Sequence, residues 1–313
     1  MTIVATDLTG PLRGTGTPME KSVLGALDNL ERALHLEPRA DNRFRVVNEP
    51  DRFGRVFGGQ LLAQAVLGAA ETVSDHVPQS LHAYFVRSGV SDAPLDIAVD
   101  RVRDGRSMAI RRVDMLQDGR NILTAIASFH TNAVEPELPQ PPLDSPPPEG
   151  LPLLQHWVQY TPPEMRGNAS TWIDVPPPLE MRIAEAPTFL GGAQTAGPRS
   201  HWMRLPRDIG DRPAVHHAML AYASDYLLVD MAFRNHPQRV GYGSLAALSL
   251  DHAIWFHRPV RFDGWHVHTQ ETVSLTGHRA MVRGTIRDAA GRMVASTAQE
   301  VLVRPHAGLG GAR

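Results

Sequence analysis

The chain has no cysteine in 313 residues, and that absence removes disulfides, thiolate metal sites and a cysteine nucleophile together. It also lacks an excess of either charge. With 31 basic against 33 acidic residues the formal net charge is −2, so no general attraction to nucleic acid or to anionic lipid is expected. No apolar run approaches the roughly 20 residues of a spanning helix. The opening MTIVATDLTGPLRGTGTPMEK has no basic region followed by an apolar one, and the ending GLGGAR matches no familiar address such as Ser-Lys-Leu. A cytoplasmic protein is expected. A Gly-x-Ser-x-Gly elbow is missing from GYGSLA near residue 241, which argues against a serine hydrolase of the α/β type.

What is present suits packed globular structure: 42% of residues are hydrophobic, and the length allows two domains of ordinary size. Residues 1–22 are rich in Gly, Thr and Pro without periodicity and are expected to be a disordered tail. SVLGALDNLERALHLEP then carries Val23, Leu24, Leu27, Leu30, Ala33 and Leu34 at helical spacing up to Pro38. A short strand around RFRVV and a helix opened by Gly58 and Gly59 in RVFGGQLLAQAVLGAAETV follow. The strands beyond are broken by Asp104-Gly105 and Asp118-Gly119, the dipeptide that favours tight hairpins, which predicts an antiparallel meander.

Prolines crowd EPELPQPPLDSPPPEG and DVPPPLE, so residues 136–178 are expected to be a linker that joins neither a sheet interior nor a helix. After it the plan repeats, with strands at LEMRIAE and SHWMRLP, a helix through AYASDYLLVDMAF, and strands from AALSLDHAIWFHRP to GRMVASTAQEVLVR. Phe85 and Arg87 fall on Phe256 and Arg258, Gly105 on Gly277, and Gly119-Arg120 on Gly291-Arg292, all at an offset of 171 or 172. Such anchors indicate a duplication. The expected architecture is α+β: two units, 23–135 and 179–305, each a sheet around a central helix, with a tail at 306–313.

Two polar residues interrupt apolar faces. Wound as one helix, 221–233 puts Ala218, Ala221, Tyr222, Asp225, Leu228, Val229 and Ala232 on one side, apolar except for Asp225. A buried unpaired carboxylate costs several kcal/mol or is forced to a higher pKa, so a fold keeps one that is paired, hydrogen-bonded or used. An Asp that is partly exposed, or satisfied by a backbone amide, fits the pattern equally well. In RMVASTAQEVLVR the alternation places Gln299 on the face of Met293, Ala295, Thr297, Val301 and Val303. Ser249 in LAALSLDH is a third candidate. An Asp, a Ser and a Gln gathered in a partly dry cavity would hold a water, with the carboxylate accepting its proton. His266 and His268 share a strand face in WHVHT, but without a third ligand they are expected to form an exposed pair and no metal site.

The segments RVFGGQLLAQAV, YFVRSG, RDGRSMAIRRV, YASD, LDHAIWFHRP, VRG and VASTAQE closely resemble, in order, those of the type II acyl-CoA thioesterases, over about residues 22–304 without the Pro-rich segment. The resemblance implies a double hotdog fold and hydrolysis of acyl-CoA to fatty acid and CoA without a cofactor. It also implies that a catalytic Asp, a Thr or Ser, and a Gln orient the attacking water. These fall on Asp225 in YASD, Ser249 in SLDH, the Ser version of that member, and Gln299 in STAQE. Gly58, Gly59 and Gln60 become substrate-binding candidates, since glycines let a ligand approach backbone amides at a helix start. Close helix packing is the competing role for the glycines. The enzymatic rival is a hotdog-class enoyl-CoA hydratase, in which an Asp and a His five residues later act on substrate. Asp211 and His216 in DRPAVH have that spacing but lack the intervening Asn-Pro, and Asp211 with Pro213 reads as a helix start. A non-catalytic acyl-CoA-binding protein is the other alternative. Sheet edges and apolar faces lead to the expectation of a homo-oligomer.

Overall fold

A computed structural model of the chain describes residues 12–131, 138–238 and 245–305. In chain order the elements are α1 (Pro18–Ala33), β1 (Glu37–Arg39), β2 (Arg43–Val46), α2 (Gly58–Ala70), β3 (Val77–Phe85), β4 (Leu95–Asp104), β5 (Met108–Gln117) and β6 (Arg120–His130). There follow the short helices α3 (Arg166–Ala169) and α4 (Thr171–Asp174), then β7 (Glu180–Ile183), β8 (Arg199–Arg204), α5 (Pro213–Ser224), α6 (Leu228–Arg234), β9 (Leu245–Ser249), β10 (Asp251–Phe256), β11 (His266–Thr276), β12 (Arg279–Asp288) and β13 (Met293–Pro305).

Helix α1 starts inside the expected tail, because Thr17 and Glu20 form a capping pair. The Thr17 side chain accepts from the Glu20 amide at 3.2 Å, and Glu20 reaches back to the amides of Gly14 and Gly16. The helix then buries Met19, Val23, Leu27 and Leu30. Within the Pro-rich segment the described residues form 3-10 turns and the helices α3 and α4. They pack on the body through buried Leu153 and Leu154, and Pro146 O accepts from Trp202 Nε1 at 2.7 Å. Contrary to the expected linker that joins neither helix nor sheet, the segment carries α3 and α4, and Leu153 makes a single antiparallel bridge to Arg182 at the sheet's outer edge.

Among the described residues the strands make one 13-stranded sheet in the order β1-β2-β4-β5-β6-β3-β10-β13-β12-β11-β8-β7, with β9 also on β13. Every pairing is antiparallel. Outward from the β3–β10 seam the two sides run β3-β6-β5-β4-β2 and β10-β13-β12-β11-β8, the same succession twice. The two expected sheets thus join edge to edge, which leaves no unpaired edge at the centre. Helix α2 packs against one half and α5 lies beside it. A Cβ on Gly59 would stand 2.3 Å from the Tyr222 carbonyl oxygen, so the helices approach this closely only because that residue is Gly. One continuous apolar core runs through both halves, from Leu62, Val66 and Phe129 to Met203, Leu220 and Ile286. No described helix is long and apolar enough to cross a membrane.

Two local departures from regular structure place the polar residues. The helix expected across 221–233 breaks: α5 ends at Ser224, Asp225 is its C-cap, Leu227 takes a left-handed φ of 68°, and α6 restarts at Leu228. The Tyr226 carbonyl, released from helical bonding, accepts instead from Gln270 Nε2 at 2.8 Å, and the Tyr226 ring packs tilted against Phe57, centroids 4.7 Å apart. Tertiary partners outweigh a local preference that would favour continuing the helix. The second departure is at Leu250. Ser249 pairs with Val301 while Ala253 pairs with Ala298, a register shift of one residue between β9 and β10 along the same partner strand. Side chains alternate along a strand, so this bulge lets both Ser249 and His252 face the interior.

Candidate active site

Asp225 lies where α5 stops, against the first turn of α2. Its carboxylate caps that helix across the gap. Phe57, the residue before α2, contributes no side-chain cap, and the Gly59 amide donates to Asp225 instead. A Cβ at Gly58 would fall 2.7 Å from Asp225 Oδ2, so a side chain there would drive the carboxylate out. The other oxygen, Oδ1, has no hydrogen-bond partner. Asp225 is 8% exposed, and burial pushes its carboxyl up to about 6 against the opposing pull of the Gly59 amide, the Arg55 charge and the Gln299 side chain. A carboxylate of this kind is ionised at neutral pH yet basic enough to take a proton.

Gln299, fully buried on β13, joins the group. Its Nε2 donates to Ser249 Oγ at 2.8 Å, its amide also faces Asp225, and its Oε1 lies 2.7 Å from His252 Nδ1. Asp225, Ser249 and Gln299, distant in sequence, are therefore neighbours. The α2 residues divide. Gly58 and Gly59 border Asp225, whereas the Gln60 side chain turns away, accepting from the Glu49 amide at 2.9 Å and donating to Asn48 Oδ1 at 2.7 Å. Gln60 secures the loop before α2 and does not reach the carboxylate.

Behind the cluster that loop is tied to α5. Glu49 accepts from Tyr222 OH at 3.1 Å, and Arg52 donates to Tyr226 OH at 2.5 Å and to the carbonyls of Val175 and Pro176. Burial raises the Glu49 carboxyl to about 7. A cleft of about 650 Å³ opens beside it, lined by Asn48, Glu49, Asp51, Val90 and Ser91. None of Asp225, Ser249 and Gln299 lines that cleft.

Other candidates separate from this group. Asp211 is an exposed partner of Arg261, while His216 is buried with its Nε2 2.7 Å from Gly210 O, so the hydratase-like pair does not converge. His266 and His268 are not an exposed pair, contrary to expectation. Strand β11 is flanked by β8 and β12, and both rings turn into the core, His266 to Gly264 O and His268 to Thr297 Oγ1. Among the described residues no three His, Asp or Glu side chains gather as a metal site. The Gly-Tyr-Gly-Ser stretch at 241–244 lies outside the described residues. His252 also belongs to this cluster, and its alternation with Ile254 and Phe256 on the inner face is the same signal that marks Gln299.

Comparison with known proteins agrees with this architecture. The profile of the acyl-CoA thioesterase family matches residues 175–302, and that of the acyl-CoA thioesterase N-terminal domain matches residues 49–130. Acyl-coenzyme A thioesterase 8 of Mus musculus is 33% identical over 261 residues, covering 80% of each chain. Acyl-CoA thioesterase 2 of Haemophilus influenzae is 29% identical over 89% of this chain and 98% of its own. Among solved structures, an acyl-CoA thioesterase II from Mycobacterium marinum superposes with a TM-score of 0.71 at 32% identity, covering 89% of this chain and 99% of that one. A hot dog fold protein from Alicyclobacillus acidocaldarius, 20% identical, gives a TM-score of 0.68 over 88% of this chain and 98% of its own, and shares the fold. The chain belongs to the acyl-CoA thioesterase family, hydrolases of acyl-CoA thioesters built on paired hotdog units.

Proposed function

We propose that Asp225, Ser249 and Gln299 hold the water that hydrolyses a fatty acyl-CoA. The observation that carries this reading is the unpartnered Oδ1 of a buried carboxylate, beside an amide and a hydroxyl already hydrogen-bonded to each other. Water donates one hydrogen to Asp225 Oδ1 and its oxygen attacks the thioester carbon. The proton passes to the carboxylate as the carbon–oxygen bond forms. The resulting oxyanion lies toward the first turn of α2, where the helix dipole and the amides beside Gly58 favour negative charge. Collapse breaks the carbon–sulfur bond, and the proton held by Asp225 returns to the departing thiolate, giving a fatty acid, CoA and the starting carboxylate. Ser249 and Gln299 fix the water and form no covalent bond to the acyl group. The outer sheet face displays Tyr84 at 65% and Ile126 at 44% exposure, which supports self-association as part of this reading.

Purified protein mixed with an acyl-CoA distinguishes the alternatives. Free thiol should appear with time and no enoyl absorbance should be consumed. A hydratase would consume the enoyl signal without releasing thiol, and a binder would do neither. The chain has no cysteine, so a thiol-reactive dye reports released CoA alone.

A further inference from the structure

His252 lies at the centre of the polar group and has no part in the mechanism above. It is 1% exposed, with Nδ1 2.7 Å from Gln299 Oε1, Nε2 3.0 Å from Ser224 Oγ, and Nδ1 3.8 Å from Asp225 Oδ1. Ser224 is the last residue of α5, immediately before the carboxylate, so one ring spans from the helix end to β13. We propose that His252 is a positioning residue for hydrolysis: as the Nδ1–H tautomer it holds the Gln299 amide with its oxygen turned away from Asp225 and its NH₂ turned toward Asp225 and Ser249. The inference rests on the water-orienting role proposed for those three residues.

A glutamine amide can flip, exchanging oxygen and nitrogen with almost no change of shape, so its neighbours decide which end faces where. On one side of Gln299 stands the Asp225 carboxylate, which only accepts. The flipped amide would set Oε1 against that carboxylate, acceptor to acceptor, and would leave the water site without the amide donor. In the unflipped state Oε1 needs a donor on the far side, and His252 Nδ1 is the ring atom placed to supply it. Burial holds the ring near 4, so it is neutral at working pH and carries one N–H. With that hydrogen on Nδ1, Nε2 accepts from Ser224, whose single proton is shared with Ala221 O at 2.8 Å. The chain of donors then runs in one direction, from Ser224 through His252 and Gln299 to Ser249, and each bond polarises the next. Apolar neighbours could hold the amide in place but could not choose its orientation.

The test compares His252→Leu, which removes both ring nitrogens, with His252→Asn, whose amide restores a donor at the place of Nδ1. Leucine has an internal precedent, because Leu81 occupies the corresponding place in the first half, where Leu81 and Ile254 are partners across the seam. His252→Ala is included so that a folded lesion exists should leucine not pack. The expected result is a kcat loss of about 10- to 100-fold for His252→Leu or His252→Ala, with KM within about threefold, and recovery to within a few-fold of wild type for His252→Asn. Combined with Gln299→Ala, the His252 lesion should cost little more, since the residue acts through an amide already absent. The acidic limb of the kcat profile should also move to higher pH in His252→Leu. Loss of the oriented N–H removes a bond that favours the ionised Asp225, while the Gly59 amide and Arg55 remain. Full activity of folded His252→Leu, or losses that multiply with Gln299→Ala, would overturn the proposal. Asp225→Asn run alongside separates the two readings: if it is inactive while His252→Leu is active, only the role of His252 falls, and if it is active the water-orienting site falls first.

Discussion

Each half of the molecule carries an acidic residue directly after its central helix, Glu71 after α2 and Asp225 after α5, and the two meet opposite surroundings. Glu71 is exposed and ion-paired with Arg212 from the other half. Asp225 is buried, with one oxygen free. The sheet beneath differs in the same sense. At the 171- or 172-residue offset, His252, Gln299 and Val282 correspond to Leu81, Ala127 and Arg111. Leu81 and Ala127 are buried and apolar, and the interior of that half is closed by the fully buried Arg111, which donates to Thr72 Oγ1 at 2.7 Å, to the carbonyls of Thr72, Arg103 and Ile110, and to Asp104. The first half turns a buried guanidinium onto internal partners, and the second leaves a carboxylate oxygen unpaired. On the proposed mechanism, a duplicated fold keeps two similar shells while one of them holds the reacting water.

Substitutions that remove polar groups from one half or the other should show this asymmetry, beginning with the larger effects. Gln299→Ala should lower kcat by about 10²- to 10³-fold and Ser249→Ala by about 10- to 10²-fold, measured as CoA release by protein of confirmed fold, because each removes one group proposed to fix the water. Equal losses from an Ala127 substitution would erase the distinction between the halves. In the first half, Arg111→Met should instead act on stability. It strands Thr72 and several carbonyls, so denaturant unfolding should show a loss of about 2–4 kcal/mol, while the folded fraction keeps kcat within about threefold. The smallest effect is a titration. With Asp225 as the proposed base, kcat should fall as pH drops through about 6, and a limb near the ordinary Asp range would show that the carboxylate is not desolvated during catalysis.

Much of this site is visible in the sequence because burial is periodic. Gln299 stands out at a spacing of two and Asp225 at a helical spacing, and both positions prove buried. The helical pattern nevertheless implied one unbroken helix, and the break at Leu227 was not legible. A leucine with φ of 68° is held by the contacts of its neighbour Tyr226 with Gln270 and Phe57, from elements far along the chain. Ser249 and His252 lie an odd number of residues apart, so simple alternation assigns them to opposite faces, and only the bulge at Leu250 brings both inside. The start of α1 was legible but unread: Thr17-Pro-Met-Glu20 is a capping sequence with proline at its first helical position.

Asp225→Asn tests the central claim most directly, with turnover and stability measured on the same preparation. The folded protein holds the Asp225 proton to higher pH than an unfolded chain does, so ionisation costs stability progressively from about pH 4 to about pH 6 and by a constant amount above that. The amide avoids that cost while keeping the shape, and a shift from 3.8 to about 6 limits the gain to roughly 3 kcal/mol. At pH 7 the variant should therefore lose about 10³-fold or more in kcat while its melting temperature holds or rises. A folded Asp225→Asn protein that releases CoA within a few-fold of the wild-type rate would contradict it.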